Sequence, residues 1–425
     1  MCNNEKENIL SRRDFIRNTG AVGVGSVLTA AGILGCKSDT PETKEPQKVP
    51  TVPKAPEEPK EPRLPTRSFG RTGVKVSMLA LGGIFDTINN QLLLRQALKW
   101  GLRYWDTANS YGGGKSELGY GKFFGSNPEA RKEIFLVTKG GARDSAGLTR
   151  MLDLSLERMQ TDYIDLYFIH GLRNGSELLQ HADEFKAWVE KAKAAKKIRF
   201  FGFSTHSNMP DCLQAAAKLG WINGIMLTYN YRLMFSEKMK AAIDACTKAG
   251  IGLTAMKTQA KGFSEFAEQE QELLDRFLAK GFNDAQARIK AVWTNPSIAS
   301  LCSQMPNMNI LMSNIAAAMD KTKLSDTELK LMEQNAKETS ASYCAGCSDI
   351  CQGAIAGDVP ICDVLRYAMY HNSYGDRDRA KRLFADLPVH VRARLKNLDY
   401  SLAEKKCPQG IAIGAVMRQA VRILT

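Results

Sequence analysis

Four side chains in the first half of the chain are of the types that a proton-transfer site needs. They are Asp106 and Tyr111 in Asp-Thr-Ala-Asn-Ser-Tyr-Gly, Lys139 in Phe-Leu-Val-Thr-Lys, and His170 in Asp-Leu-Tyr-Phe-Ile-His. A free phenol ionises only near pH ~10. A lysine beside it favours the phenolate, and a carboxylate beside the lysine holds the ammonium charged and in place. A histidine at the same rim orients a carbonyl oxygen against the phenol. Such a set is suited to protonating a carbonyl oxygen as hydride arrives at its carbon.

Each of the four follows a short apolar run, and helix-forming stretches separate the runs. From Thr66 onward eight such runs recur: Val76 to Leu81, Arg103 to Thr107, Ile134 to Thr138, Ile164 to His170, Arg199 to Ser204, Gly224 to Tyr229, Gly252 to Met256 and Ile298 to Ser303. Strand–helix alternation repeated eight times predicts an α/β fold, the (β/α)8 TIM barrel, in which chemistry gathers at the C-terminal ends of the strands. Arg67 to Val76, with Gly70 and Gly73, reads as a hairpin plugging the bottom of the barrel.

Several motifs together resemble the aldo-keto reductases. They are Arg67-Ser-Phe-Gly-Arg-Thr-Gly73, the Asp106-to-Gly112 stretch, Ser116-Glu117-Leu118-Gly119, Lys139, Asp162-Tyr-Ile-Asp-Leu166 with His170, and Gly202-Phe-Ser204. The resemblance spans residues 66–325. It implies that Asp106, Tyr111, Lys139 and His170 form a catalytic tetrad with Tyr111 as general acid, and that the cofactor is NAD(P). On the same resemblance Ser204 and Thr205 contact the nicotinamide carboxamide, Tyr229 stacks on its ring, and Asn314 opens the helix after the eighth strand and contacts adenine. Ser303 and Lys257 complete the cofactor-binding set. The family's usual Gln before Tyr229 falls on Met226 or Thr228, and Ile310 and Ser313 replace its Arg and Glu near Asn314. An arginine that would grip the 2′-phosphate of NADP is thus missing, with Lys257 and Lys261 as substitutes, and the choice between NAD and NADP stays open.

Outside the barrel the chain divides into three further parts. Residues 1–36 read as an export signal: Ser11-Arg12-Arg13-Asp14-Phe15-Ile16 is a twin-arginine motif ahead of a Gly-rich apolar stretch. Cys36, in Ile33-Leu34-Gly35-Cys36, resembles a lipoprotein cleavage box, which implies a lipid anchor. Residues 37–65 hold eight prolines, at 41, 46, 50, 53, 56, 59, 62 and 65, and read as an extended linker. Those parts predict a periplasmic or cell-envelope location. The net charge of +13 is spread among acidic residues with no aromatic-interleaved basic block, so nucleic acid is not implied.

Residues 326–425 read as a mostly helical, Cys-rich domain. Cys344, Cys347 and Cys351 fall within eight residues, and Cys407-Pro408 adds a fourth thiol. Clustered Cys with a distant Cys-Pro resembles ferredoxin-type ligation of a 4Fe-4S cluster. Zinc and disulfides or free thiols are the alternatives. Cys362 reads as a buried spectator, and Cys212, Cys246 and Cys302 as core residues. The tail is similar to the helical iron-sulfur extension of some barrel reductases.

These parts predict an exported oxidoreductase moving hydride between bound NAD(P) and a carbonyl or alcohol substrate, carbohydrates included, with an envelope electron-transfer partner. Two other readings stand beside it: a redox-neutral epimerase or lyase acting on sugars with tightly held NAD(P), and a non-catalytic envelope binding protein on the same barrel.

Overall fold

β1 (Thr66–Ser68) and β2 (Lys75–Ser77) pair antiparallel as the expected hairpin. Eight strands then close a parallel barrel: β3 (Leu79–Gly82), β4 (Tyr104–Asp106), β5 (Phe135–Gly140), β6 (Ile164–Leu172), β7 (Ile198–Thr205), β8 (Gly224–Thr228), β9 (Gly252–Met256) and β10 (Ile298–Gln304), with β10 pairing back onto β3. The first apolar run, Val76 to Leu81, is divided between the hairpin's β2 and the barrel's β3. The computed structural model describes residues 64–263 and 271–425, with the side chains of 271–274 excepted. The expected signal, Cys36 and all but the last two residues of the linker lie outside the described residues.

The hairpin closes the barrel's lower end because its tip is apolar and its flank is cationic. Phe69 is fully buried against Tyr104 and Phe135. Gly70, at φ +53°, brings the tip so near Gly250 and Gly252 that a Cβ would lie 2.3 Å from the Gly250 carbonyl oxygen. The Arg67 guanidinium donates to the carbonyls of Trp293, Asn295 and Ile298 at the base of β10. Above Phe69 the interior is filled by Val76, Ala80, Val137, Leu166, Phe168 and Met226. β7 and β8 approach closely, for a Cβ on Gly202 would meet the Gly224 carbonyl oxygen at 1.7 Å.

Helices separate the strands where the sequence supplies caps. Asp144, Asn174 and Asn307 accept from the backbone two or three residues into their helices, and Asn283 and Ser325 form full capping boxes. After β10 the chain is helical: Met308–Met319, Asp326–Glu338, Ile361–Asn372, Arg377–Ala385, Val389–Leu395, Ser401–Lys406 and Ile413–Leu424. The later helices share an apolar core built on Ile361, Val364, Leu365, Phe384, Leu395 and Met417. Phe263, from the barrel, packs into the same core.

The tail is fastened across the C-terminal ends of the barrel strands. Asn208 N–H donates to Gly346 O (2.8 Å), Asn230 Nδ2 to the Tyr343 hydroxyl (2.8 Å), Phe263 N–H to Ser342 O (3.1 Å) and Asn372 Nδ2 to Phe263 O (3.1 Å). Barrel and tail belong to one compact unit. Among the described residues no helix is long and apolar enough to cross a membrane.

Candidate active site

Asp106 ends β4 opposite Val137 of β5, and Lys139, two residues further along β5, falls on the same face as Val137. Lys139 Nζ donates to Asp106 Oδ1 at 2.6 Å and to Thr107 O at 2.7 Å, both deep in the barrel. Burial alone would lower the lysine pKa, but the charge of Asp106 raises it overall, so the ammonium is kept charged. Tyr111 begins a short turn, Tyr111–Gly114, whose three glycines take positive φ. That turn carries the phenol back over the barrel to 3.5 Å from Lys139 Nζ. His170, on β6, meets the Tyr111 ring edge-on at 5.6 Å.

Ser116 and Glu117 hold this turn in place. Ser116 Oγ donates to Gly83 O, and Thr107 Oγ1 lies 2.7 Å from Ser116 Oγ. Buried Glu117 accepts from Thr138 on β5 (2.7 Å) and pairs with Arg158 (3.1 Å), which also donates to Asn109 O. The resemblance motif around these residues therefore has a positioning role.

The electrostatics differ from the expectation in one respect. Lys139 does pull the Tyr111 phenol toward ionisation, but desolvation is stronger, and the net pKa lies above its ordinary value. The phenol is held protonated, as a proton donor to a carbonyl must be. Burial and the charges of Lys139 and Arg143 push His170 down to about 3, so it is a neutral imidazole.

Several expected cofactor contacts are placed otherwise. Ser204 Oγ accepts from Gly171 N–H (3.0 Å), and Thr205 Oγ1 donates to Leu172 and Ser207 carbonyls, so both brace the β6–β7 rim. Tyr229 is buried with its hydroxyl accepting from Asn295, beside the Arg67 anchor, so its ring is not offered as a stacking face at the mouth. Met256, at the end of β9, instead packs on the barrel interior. Asn314 does not open its helix; Asn307 caps it, while Asn314 is buried and donates to Ser303 Oγ (3.0 Å). Lys257, at φ +55°, hydrogen-bonds the Tyr370 hydroxyl of the tail, and Lys261 donates to Ser373 O (3.1 Å).

The cysteines also depart from expectation. Cys347 is grouped with Cys344, Cys351 and Cys407: burial raises its pKa, and their charges add to that rise. Cys344 and Cys351 make a further contact. Each packs on Cys362, at Sγ–Sγ distances of 3.7 and 3.9 Å, because the helix Ile361–Asn372 begins by placing that thiol between them. Cys362 is thus a member of the thiol group and no spectator. Among the described residues no set of three or more His, Cys, Asp or Glu has the arrangement of a metal-ion site. Cys302, read as core, lies inside the active site, its thiol 3.7 Å from Asp106 Oδ2. Strand alternation along β10 carried that signal, since the neighbour of an outward Ser303 must face inward.

The tail adds charge at the mouth. Tyr370 lies beneath Lys257 (4.4 Å) and Arg379 (4.3 Å), and although burial raises a phenol's pKa, the charges of Lys257, Arg379 and Arg366 bring it down to about 8.

A closed eight-stranded parallel barrel with a buried Lys–Asp pair under a tyrosine, at the strands' C-terminal ends, defines a barrel oxidoreductase. Residues 84–331, more than half of the chain, match the Aldo/keto reductase family, and the chain belongs to it. It is an oxidoreductase of the aldo-keto reductase type. An aldo-keto reductase of Schizosaccharomyces pombe, Yakc [NADP(+)], is 27% identical over 219 residues, 47% of this chain and 62% of that protein. The uncharacterized oxidoreductase YqkF of Bacillus subtilis is 25% identical over 308 residues, 64% of this chain and 96% of that protein. Among solved structures, an aldo-keto reductase from Bacillus halodurans in its holo form shares the fold, with TM-score 0.55 and 22% identity over 64% of this chain and 96% of that one. A thermostable aldo-keto reductase in complex with the inhibitor epalrestat does so with TM-score 0.53 and 23% identity, over 64% of this chain and all of that one. The tail beyond residue 331 lies outside the family match.

Proposed function

We propose that the enzyme interconverts a carbonyl and an alcohol, with Tyr111 giving the proton to the carbonyl oxygen or taking it back. The observation that carries this reading is the buried chain Asp106–Lys139–Tyr111, with Nζ 2.6 Å from the carboxylate and 3.5 Å from the phenol. When bound, the nicotinamide cofactor supplies or accepts hydride at carbon. Lys139 stabilises the phenolate left after proton transfer, Asp106 holds Lys139 charged, and neutral His170 orients the carbonyl oxygen toward Tyr111. A panel of aldehydes, ketones and sugars, followed by nicotinamide absorbance, tests the reading; no turnover with any of them counts against it.

A neutral His170 has a consequence for pH dependence. Its folded pKa, about 3, lies below the ordinary value of 6.5, so it stays uncharged from neutral pH down through the usual histidine range. The pH profile of kcat/KM should show no histidine step near 6.5; a step there that disappears in His170→Asn would show a charged imidazole at work. Between those two pH values the unfolded chain binds the proton and the folded one does not, so this group makes stability fall as the pH falls.

The proposal extends to the tail and the N-terminus. Thiols of Cys344, Cys347, Cys351 and Cys407, with Cys362 among them, are soft donors of the kind that hold a 4Fe-4S cluster or, in the alternative, zinc. A bound iron-sulfur cluster would exchange single electrons with an envelope partner. Export by the twin-arginine route, with Cys36 as the anchored residue, is the accompanying reading of residues 1–36. Chain purified without oxygen should show a broad visible absorbance that bleaches with dithionite. A colourless protein would remove the cluster, and metal content would then separate zinc from free thiols.

A further inference from the structure

His170 is seated on an irregular stretch of β6. Pairing with β7 sets Ile169 against Phe203 and then Leu172 against Thr205, so β6 takes three steps where β7 takes two. His170 and Gly171 have no register partner on β5 or on β7. Such a bulge bends its strand and re-aims a side chain. Gly171 supplies the bend at φ +70°, a backbone conformation that strains any residue with a Cβ. The bulge also takes backbone groups out of the ladder, and these need other partners.

Arg143, in the loop after β5, collects them. Its Nη2 donates to the carbonyls of His170 (3.1 Å) and Gly171 (3.0 Å), and its Nη1 to the Gly141 carbonyl (3.0 Å). Gly171 N–H is held separately by Ser204 Oγ (3.0 Å). Arg143 Nε pairs with Glu177, whose other oxygen accepts from Arg173 N–H (2.9 Å). Asn174 caps the short helix Gly175–Gln180 that carries Glu177. A guanidinium suits this place because its planar fork meets several acceptors at fixed angles, which an ammonium cannot do. Arg143 belongs to none of the motifs that resemble the family.

We infer that Arg143 is a positioning residue for the reaction: by fixing the bulge it sets the angle at which the His170 imidazole faces the Tyr111 phenol and the substrate carbonyl. The inference rests on the reading that His170 orients that carbonyl, and it adds the residue that holds the orienting group in place. The edge contact between the His170 and Tyr111 rings is the geometry at stake. Charge adds a second effect. Burial leads in holding His170 neutral, followed by Lys139 from β5, Arg143 from the loop, and Arg379 and Arg366 from the tail. His206, after β7, is a further titratable group that interacts with His170, and it too is held neutral, by burial first. Removing the Arg143 charge should therefore raise the His170 pKa in part, since the other influences remain.

The experiment compares wild type, Arg143→Met and Arg143→Lys in two ways. Imidazole NMR of histidine-labelled protein across pH reads the positioning without turnover, and reduction of 4-nitrobenzaldehyde with NADH or NADPH reads its consequence. The chain has five histidines, so His170→Asn assigns the resonance by its loss, and melting serves as the folding control. Arg143→Met should displace the His170 resonance, move its titration to higher pH and lower kcat by up to roughly a hundredfold, the effect of a small misplacement. Arg143→Lys should return the titration with the charge but leave the resonance displaced and kcat low, because the fork is not replaced. That milder variant keeps the test readable should Arg143→Met unfold. An unmoved His170 resonance in both variants overturns the inference. So does a full further loss when Arg143→Met is added to His170→Asn, since a residue acting through His170 then has nothing left to remove. If the resonance moves but wild type and His170→Asn reduce the aldehyde equally, or neither does, the orienting reading itself fails. The inference falls with it, and Arg143 is left a structural clamp.

Discussion

Replacing Tyr111 by Phe should lower turnover roughly 10²–10⁴-fold, the usual worth of a positioned general acid, and leave nucleotide affinity unchanged. The substitution removes one oxygen atom and little else. The ring's edge contact with His170 persists, and the Lys139–Asp106 pair, bonded also to Thr107, does not depend on the phenol. Steady-state kinetics and nucleotide titration check the two halves separately. Turnover within a factor of two of wild type, estimated roughly against that worth, would transfer the proton-donor role elsewhere. Tyr370 of the tail, whose pKa is brought down to about 8, would be the first residue to test.

A second large effect is expected on stability. Asp165, on β6, is almost fully buried and bonded three ways: it accepts from Leu136 N–H on β5 (2.9 Å), pairs with buried Arg131 (3.0 Å) and pairs with Arg199 on β7 (2.6 Å). It thereby ties together β5, β6 and β7, the first two of which carry Lys139 and His170. Asp165→Ala would leave the Arg131 guanidinium buried beside Tyr163 without its carboxylate. Breaking a buried pair from one side costs about 3–5 kcal/mol. The Arg199 arm, half exposed, adds little to that figure. Denaturant unfolding should register the loss, and Asp165→Asn, able to keep the Leu136 bond, should recover part of it. A midpoint unmoved by Asp165→Ala would mean that Arg131 finds water once the carboxylate is gone.

The barrel was legible in the sequence because a strand's signal is local. Each apolar run is a few residues long, and seven of the eight expected runs overlap one barrel strand each. The first failed at its edge, since β2 and β3 are separated only by Met78 and read as one run. The tetrad was legible for a related reason: in a parallel barrel the end of a strand is also the direction of the site. Side-chain direction beyond the strand ends was not. Tyr229 and Asn314 fall one residue past a strand and seven into a helix, where spacing does not say which way a ring or amide turns. Contacts across long separations were equally hidden. Nothing local to Lys257 announces Tyr370, 113 residues later, and nothing local to Cys362 announces that two thiols will pack on it.

The fastening of the tail also imposes an order in time. The ribosome delivers the last barrel strand, ending at Gln304, well before Arg366, Tyr370 and the helix that closes the C-terminal core. A nascent chain can therefore assemble the tetrad while its mouth still stands open, and Phe263 has no core to enter until the final helices emerge. Emergence of the tail helices then acts as the latch. Chains cut short upstream of the tail would display a rim bearing Phe263, Lys257 and Lys261, of the kind that chaperones and proteases act on, whereas chains carrying the tail would hide it.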